Sequence, residues 1–408
     1  MKYLTNIIKE YNGNCEPLSG VFKDSNDKVK FPTNITVASY NGGVVVNTRI
    51  TDYAYIPLRS RSNLIYVPDN EDTSKVTSCN IIKQLYGVSL PVTHELVGEI
   101  GIQMGGTQFK GLEDVRLVVW NNTLYGVGFR PDIQPGKVIV QLIEFNEDYT
   151  IRRTWFINTN KNMEKNWQPV EDMPFTFMYD PDSAGVVTID IDSIREADNN
   201  NTSPIVNYVD TPDFTGKLSG SSQLIHLKDG NYLSICHTSH RWEGANHTFN
   251  WLYNHYFVLY DEKLNKIWTS EPFRFVDDCM EFCCGMCHHN NDIYISFSMY
   301  DGTTHIISIP FDNLMEIVSQ LRDNPAVFES IPNEDYMIQN LEDDKIKGID
   351  KFIYIMYAES INRLANTDDV IELLKGMYLP WYFKHNIIKY LIIHGKDRQF
   401  LIKEFEQQ

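Results

Sequence analysis

Asn121-Asn-Thr-Leu-Tyr-Gly-Val-Gly-Phe-Arg130 is a turn dipeptide followed by an alternating apolar strand that ends on a cation. Such a run reads as one arm of a hairpin, because period-2 alternation buries one face of a strand and an Asn pair favours a tight turn. The same signature returns as Asn41-Gly-Gly-Val-Val-Val-Asn-Thr-Arg49, as Asp229-Gly-Asn-Tyr-Leu-Ser-Ile-Cys-His237 and as Asn291-Asp-Ile-Tyr-Ile-Ser-Phe-Ser-Met-Tyr300. A fainter copy is Asp182-Ser-Ala-Gly-Val-Val-Thr-Ile-Asp190. The turns begin at 41, 121, 182, 229 and 291, at intervals of 80, 61, 47 and 62 residues. Strands behind turn signals, repeated every ~50 residues, are the sequence form of a β-propeller. Two further stretches, Ile143 to Phe156 and Val258 to Ser270, read strand, acidic turn, strand, and begin 115 residues apart, about two repeat units. They are expected to be the outer hairpins of two blades.

The expected fold is therefore an all-β, five-bladed β-propeller over 31–312, preceded by an N-terminal extension (1–30) and followed by a C-terminal α-helical appendage (313–408). The texture changes after Pro310: Asn313 to Arg322 has helical spacing of apolar residues, and Thr367-Asp-Asp-Val-Ile-Glu-Leu-Leu-Lys reads as a capped helix start. Three to five helices are predicted there. They are read as a packing extension of the propeller, or alternatively as a docking element for a partner protein or a second copy of the chain.

Composition narrows the function classes. The 408 residues carry 36 basic and 54 acidic side chains, a formal charge of −18, which argues against nucleic acid as a partner because phosphate recognition needs clustered Lys and Arg. No apolar run approaches the ~20 residues that span a bilayer. The start, MKYLTNIIKEYNG, makes a poor secretory signal. An odd seven cysteines suggests reduced thiols. A cytoplasmic location is expected on these grounds, and the sequons at Asn34, Asn121 and Asn246 are read as chance matches. Cys279, Cys283, Cys284 and Cys287 with His288 and His289 formally match a haem-attachment or zinc spacing, but strand alternation would split them between two faces, so no metal and no cofactor is expected. Gly101 to Gly111 lacks the Gly-Lys-Ser/Thr ending of a phosphate loop and is predicted to be an irregular loop. Neither a Gly-x-Ser-x-Gly elbow nor a His-Glu-x-x-His pair is present.

The strongest chemical signal is Gly111-Leu-Glu-Asp-Val-Arg116, leading an apolar strand. A regular strand sends Glu113 and Asp114 to opposite faces. Two carboxylates beside a guanidinium can leave one acid ionised and tune the other towards protonation, as a general acid requires. Strand ends add a second argument. The innermost strands of a propeller converge, so Arg49, Arg130, His237 and Tyr300 are expected to meet at one funnel. Trp167, Trp242, Trp251 and Tyr253 suit stacking on sugar rings, although each is individually more often core.

Gly-Leu-Glu-Asp-Val-Arg also resembles the Glu-Asp-Pro-Arg signature of glycoside hydrolase family 130, five-bladed propellers that include β-mannoside phosphorylases. Asn34 through Arg49 to Tyr53 looks like the blade-one strand that presents an Arg to the funnel. Glu164-Lys-Asn-Trp-Gln-Pro169 is similar to the family's Lys-Asn-Trp-x-Pro segment. Ser219-Gly-Ser-Ser-Gln, Tyr253-Asn-His255 and Met280-Glu281-Phe-Cys-Cys-Gly285 resemble blades four and five of related propellers. The resemblance implies a carbohydrate site with Asp114, aided by Glu113, as proton donor to the glycosidic oxygen in an inverting transfer. Arg49, Tyr53, Arg116, Arg130, Lys165, Asn166, His237, His255 and Glu281 are the implied substrate-binding residues. The partners would be an oligosaccharide with inorganic phosphate, a sugar phosphate or a nucleotide sugar. Val115 stands in place of the family's Pro, and Ser219 where related sequences commonly have Arg. A nucleotide-sugar-dependent mannosyltransferase and a non-catalytic glycan-binding propeller are the alternatives.

Overall fold

The computed structural model describes residues 3–323 except 18–21, 24–28, 52, 59–62, 69–74, 87–93, 98–100, 105–106, 135, 198–204, 215, 244–248, 277–279 and 300–302, and over 17–32, 50–111 and 240–251 it describes the backbone path alone. The expected segments around Thr367 and from Lys351 to Phe405 thus lie outside the described residues, as do Tyr300 and Cys279.

Among the described residues the strands form five mostly antiparallel sheets. The clearest blade runs Glu113–Trp120, Thr123–Gln134, Lys137–Phe145 and Ile151–Asn158 in simple up-and-down order. Another holds Val29–Tyr40, Gly43–Thr51 and Lys75–Tyr86. A third is built on the twelve-residue pair Tyr232–Glu243 and Phe249–Tyr260, and the last on Glu281–His289, Asp292–Met299 and Thr303–Pro310. The remaining sheet has three short strands, Gln168–Pro169, Thr176–Asp180 and Gly185–Thr188. Among the described residues four blades are seen where the repeats predict five. The faint repeat at 182 forms a turn between Thr176–Asp180 and Gly185–Thr188, within the three-stranded sheet. Asp180 accepts hydrogen bonds from the amides of Asp182, Ser183 and Gly216, which close that turn.

The turn signals are borne out by backbone geometry. Asn41 and Gly42 have φ of 50° and 72°, and Asn121 and Asn122 have 50° and 59°, so both central residues are left-handed as a two-residue hairpin requires. The two acidic turns share one construction. Asn146 N–H donates to Thr150 O and Tyr149 N–H to Asn146 O, and Asp261 N–H donates to Asn265 O and Leu264 N–H to Asp261 O. Tyr149 and Leu264, 115 residues apart, both have positive φ and are both buried. The first hairpin ends in Ile151–Asn158, which Val206–Tyr208 flanks in parallel, and the second in Lys266–Thr269.

Gly101 to Gly111, expected as an irregular loop, is instead a strand pair: Gly101–Met104 runs antiparallel to Thr107–Gly111, which lies parallel to Lys75–Tyr86. Its backbone hydrogen bonds go to a neighbouring strand, an option that local composition does not reveal. The chain start is also sheet. Asn14–Pro17 pairs antiparallel with Thr303–Pro310, so the outer strand of the last sheet comes from the beginning of the chain. After Pro310 a helix, Phe311–Asp323, buries Phe311, Leu314, Ile317, Val318 and Leu321 on one face. No helix among the described residues is long and apolar enough to cross a membrane.

Candidate active site

The strands Val29–Tyr40, Glu113–Trp120 and Glu281–His289 are each the first of a sheet's main up-and-down run, and they pack against one another. All three carry a register shift: between Thr33 and Thr36, between Glu113 and Arg116, and between Cys283 and Gly285. Such bulges re-aim side chains that a regular pleat would send to alternate faces. At the first two, a non-glycine residue is left-handed: Asn34 at φ 40° and Asp114 at φ 49°. Asn and Asp tolerate this backbone better than other side chains. The third is opened by glycine: a Cβ on Gly285 would lie 2.6 Å from both Thr36 Oγ1 and the Val37 nitrogen.

The Asp114 bulge overturns the expected alternation. Glu113 and Asp114 meet the same guanidinium: Arg49 Nη2 lies 3.0 Å from Glu113 Oε1, and Arg49 Nη1 3.2 Å from Asp114 Oδ1. Arg49 is 4% exposed, whereas Glu113 and Asp114 keep 28% and 21% of their side chains open to solvent. Asn34 Nδ2 donates to the same Asp114 oxygen at 2.6 Å. An enclosed cation thus ties down two carboxylates that still face outward.

Arg116 does a different job. It is fully buried, and its guanidinium donates to the carbonyls of Ser221 (2.6 Å), Gly220 (3.0 Å) and Asp114 (3.0 Å) and to Asn166 Oδ1 (3.2 Å), with the Phe129 ring 5.7 Å away. Its charge is balanced by backbone and amide dipoles, and it pins the left-handed turn at Asp114 to the strand Ser219–Gly220. Asn166, at φ 66°, joins the constellation through Arg116, while its neighbour Lys165 is exposed.

The remaining candidates are spread wider. His237 Nδ1 is 2.8 Å from Ser221 Oγ, and burial, reinforced by His255, Arg116 and Lys165, holds its pKa well below the usual histidine value. His255 is enclosed, accepts the Cys283 amide on Nε2 at 3.3 Å and packs on Phe275; burial, aided by Arg274, pushes it down to about 3. Both imidazoles are neutral near pH 7, so neither supplies the positive charge expected of an anion ligand. Glu281 is likewise enclosed, and its oxygens accept the amides of Phe275 and Val276, both at 2.7 Å. Arg130 donates to Gln141 Oε1 at 3.1 Å and lies over the Phe156 ring. Of the expected strand-end group, Arg49 meets Asp114, and His237 is linked to Arg116 through Ser221. The side chains of Tyr53, Trp242 and Trp251 are outside the described residues. Trp167 is core, its Nε1 donating to Glu164 Oε2.

Burial pushes the thiols up, to about 12 at Cys284 and about 11 at Cys236. Among the described residues no group of three or more His, Cys, Asp or Glu could hold a metal ion. The sequence alone assigns no role to Asn34, Ser221 or Ser298. Asn34 sits in a quoted motif, but only the bulge gives it a part in the site, and Ser298 lies 264 positions away.

No protein-family model matches the chain, and no curated protein does. Among solved structures, a mannose phosphorylase from Leishmania mexicana, determined with a phosphate ion, aligns at 14% identity over 76% of this chain and 93% of its own, with a TM-score of 0.41. A GDP-Man-dependent mannosyltransferase from Leishmania mexicana aligns at 15% identity over 75% and 94%, TM-score 0.41. The β-1,2-mannobiose phosphorylase of Listeria innocua, solved with β-1,2-mannobiose, aligns at 14% identity over 72% and 93%, TM-score 0.39. At this distance the site's own geometry has to carry any functional reading.

Proposed function

We propose that this chain is a carbohydrate-active enzyme that transfers a glycosyl group with inversion, acting on a β-mannoside or a similar glycoside with Asp114 as general acid. The observation that carries the reading is the Asp114 carboxyl itself: aimed by a bulge, partly open to solvent, and tied through one oxygen to Arg49 and Asn34. In this reaction the proton on Asp114 passes to the glycosidic oxygen as the anomeric C–O bond breaks and its electron pair stays with that oxygen. An incoming oxygen, from phosphate in a phosphorylase, forms the new bond from the opposite face. The Glu-Asp-Val-Arg motif and its place at the head of an innermost strand support the assignment. In this reading the three-stranded sheet at Gln168 to Thr188 takes the place of a fifth blade.

A second reading, transfer from a nucleotide sugar, is favoured by the state of the cations. A phosphate held deep beside Asp114 would find His237 and His255 uncharged and Arg116 enclosed, whereas a nucleotide sugar carries its charge on a diphosphate that extends away from the sugar towards exposed groups such as Lys165. Incubation with mannose 1-phosphate and a panel of acceptor sugars, followed by phosphate release, tests the phosphorylase. GDP-mannose raising the melting temperature where phosphate does not would favour the transferase. Asp114→Asn is expected to lower either activity by a factor of about 100 or more, since general acid catalysis is worth that much. Transfer left unchanged by this substitution would refute the catalytic reading and leave a glycan-binding propeller.

A further inference from the structure

Asn34 is 5% exposed and occupies the left-handed position of the bulge in Val29–Tyr40. Its carbonyl oxygen accepts two hydroxyls: Ser298 Oγ at 2.8 Å, from the last sheet, and Thr33 Oγ1 at 3.0 Å. With the carbonyl end held by those donors, the amide end points the other way and donates to Asp114 Oδ1 at 2.6 Å. An amide turned end for end would set its oxygen against a carboxylate oxygen and lose the bond. Arg49 Nη1 donates to the same Oδ1. Among the described residues no donor is placed on Oδ2.

We infer that Asn34 is a positioning residue, locked by Ser298 and Thr33, that makes Oδ2 of Asp114 the atom delivering the proton. The inference rests on the glycosyl-transfer reading above. An oxygen that faces two N–H donors has no room for a proton between them, so the acid proton resides on Oδ2. The clamp on Oδ1 also stops the carboxyl from rotating to exchange its two oxygens. In the reaction the O–H bond at Oδ2 breaks, the proton goes to the leaving glycosidic oxygen, and the carboxylate left behind is stabilised at Oδ1 by the bonds already in place. The lock spans three sheets, since Ser298, Asn34 and Asp114 each belong to a different one.

The test uses a pair of donors that differ in their need for an acid: 4-methoxyphenyl β-mannoside, a poor leaving group, and 2,4-dinitrophenyl β-mannoside, a good one, each in phosphate buffer. Ser298→Ala is expected to lower kcat on the methoxyphenyl donor about tenfold and Asn34→Ala about 100-fold, the latter being the scale of a misplaced catalytic group. KM and the dinitrophenyl rate should stay within about twofold, and Ser298→Thr, which keeps the hydroxyl, should restore the rate. Equal losses on both donors, no loss on either, or no restoration by Thr would overturn the inference. Should Ser298→Ala fail to fold, Thr33→Val removes the other hydroxyl and is expected to show the same split between donors. Should the wild type turn over neither donor, the glycosyl-transfer reading is what fails. The lock is then read from hydrogen exchange of the Asn34 side-chain amide: slower exchange in the wild type than in Ser298→Ala upholds it, and equal exchange refutes it.

Discussion

His255 illustrates how a single enclosed side chain couples the site region to solvent pH. Its ring is fully buried, its Nε2 accepts the Cys283 amide, and desolvation, with Arg274 nearby, brings the folded pKa to about 3. An unfolded histidine titrates near 6.5. Between those values the unfolded chain binds a proton that the folded chain refuses, so stability is full above pH 6.5 and drops as the pH falls. From pH 7 to pH 5 the loss from His255 alone is about 2 kcal/mol by this linkage, and His237, lowered in the same direction, adds to it. Urea titrations at the two pH values should show this slope in the wild type and a shallower one in His255→Gln, which keeps an acceptor for Cys283 but has no proton to gain. Identical slopes would mean that His255 takes up a proton in the fold as readily as in the unfolded chain. Arg116 is enclosed too, but its carbonyl acceptors make it a fastener between segments.

Bulges set what each element contributes. The alternation of apolar residues made the strands legible, and the Asn-Gly and Asn-Asn turns made their starts legible, because both depend on neighbours in sequence. A bulge depends on the strand opposite. Glu113 and Asp114 read as pointing to opposite faces, and only the register shift turns both towards Arg49. For the same reason Asp114 and Arg49 could be singled out from their motifs, while Asn34 and Ser298 could not be joined to them. The bulge in Glu281–His289 gives a direct test of this packing. Gly285 there approaches Val29–Tyr40 so closely that a Cβ would meet the Val37 backbone nitrogen at 2.6 Å, and Thr36 Oγ1, equally close, is already engaged by the Leu117 amide. Backbone cannot swing aside as a flexible side chain would. Gly285→Ala is expected to cost about 1–3 kcal/mol by overpacking, seen as a lower urea midpoint with an unchanged slope. A midpoint equal to the wild type's would show that the two strands can part without cost.

Ring closure decides the behaviour of the whole molecule. A sheet arrangement wound around an axis must join its last sheet to its first segment, or leave an edge of unpaired backbone groups open to other chains. Here Asn14–Pro17 covers the edge of Thr303–Pro310 with the pairs Asn14 to Ser308 and Pro17 to His305 at its ends. The preceding helix, Leu4–Glu10, is fastened to the same region: the Leu4 amide donates to Arg274 O, and the Thr5 amide and hydroxyl donate to Phe275 O. Glu281 in turn holds the Phe275 and Val276 amides, so the chain start is tied to the turn that leads into the last sheet. None of this was legible in residues 1–30, because a short strand that adds to a distant edge needs no pattern beyond a few extended residues. Removing residues 1–17 strips the partner from one strand and uncovers the apolar surface under Leu4, Ile7 and Ile8, three enclosed side chains worth about 2 kcal/mol each. The truncated chain should therefore melt at a lower temperature and form concentration-dependent oligomers in light scattering, since its bare edge can pair with a second copy. If it stays monomeric and melts with the full chain, the sheets close without the N-terminal strand, and the ring is held by side-chain packing between sheets alone.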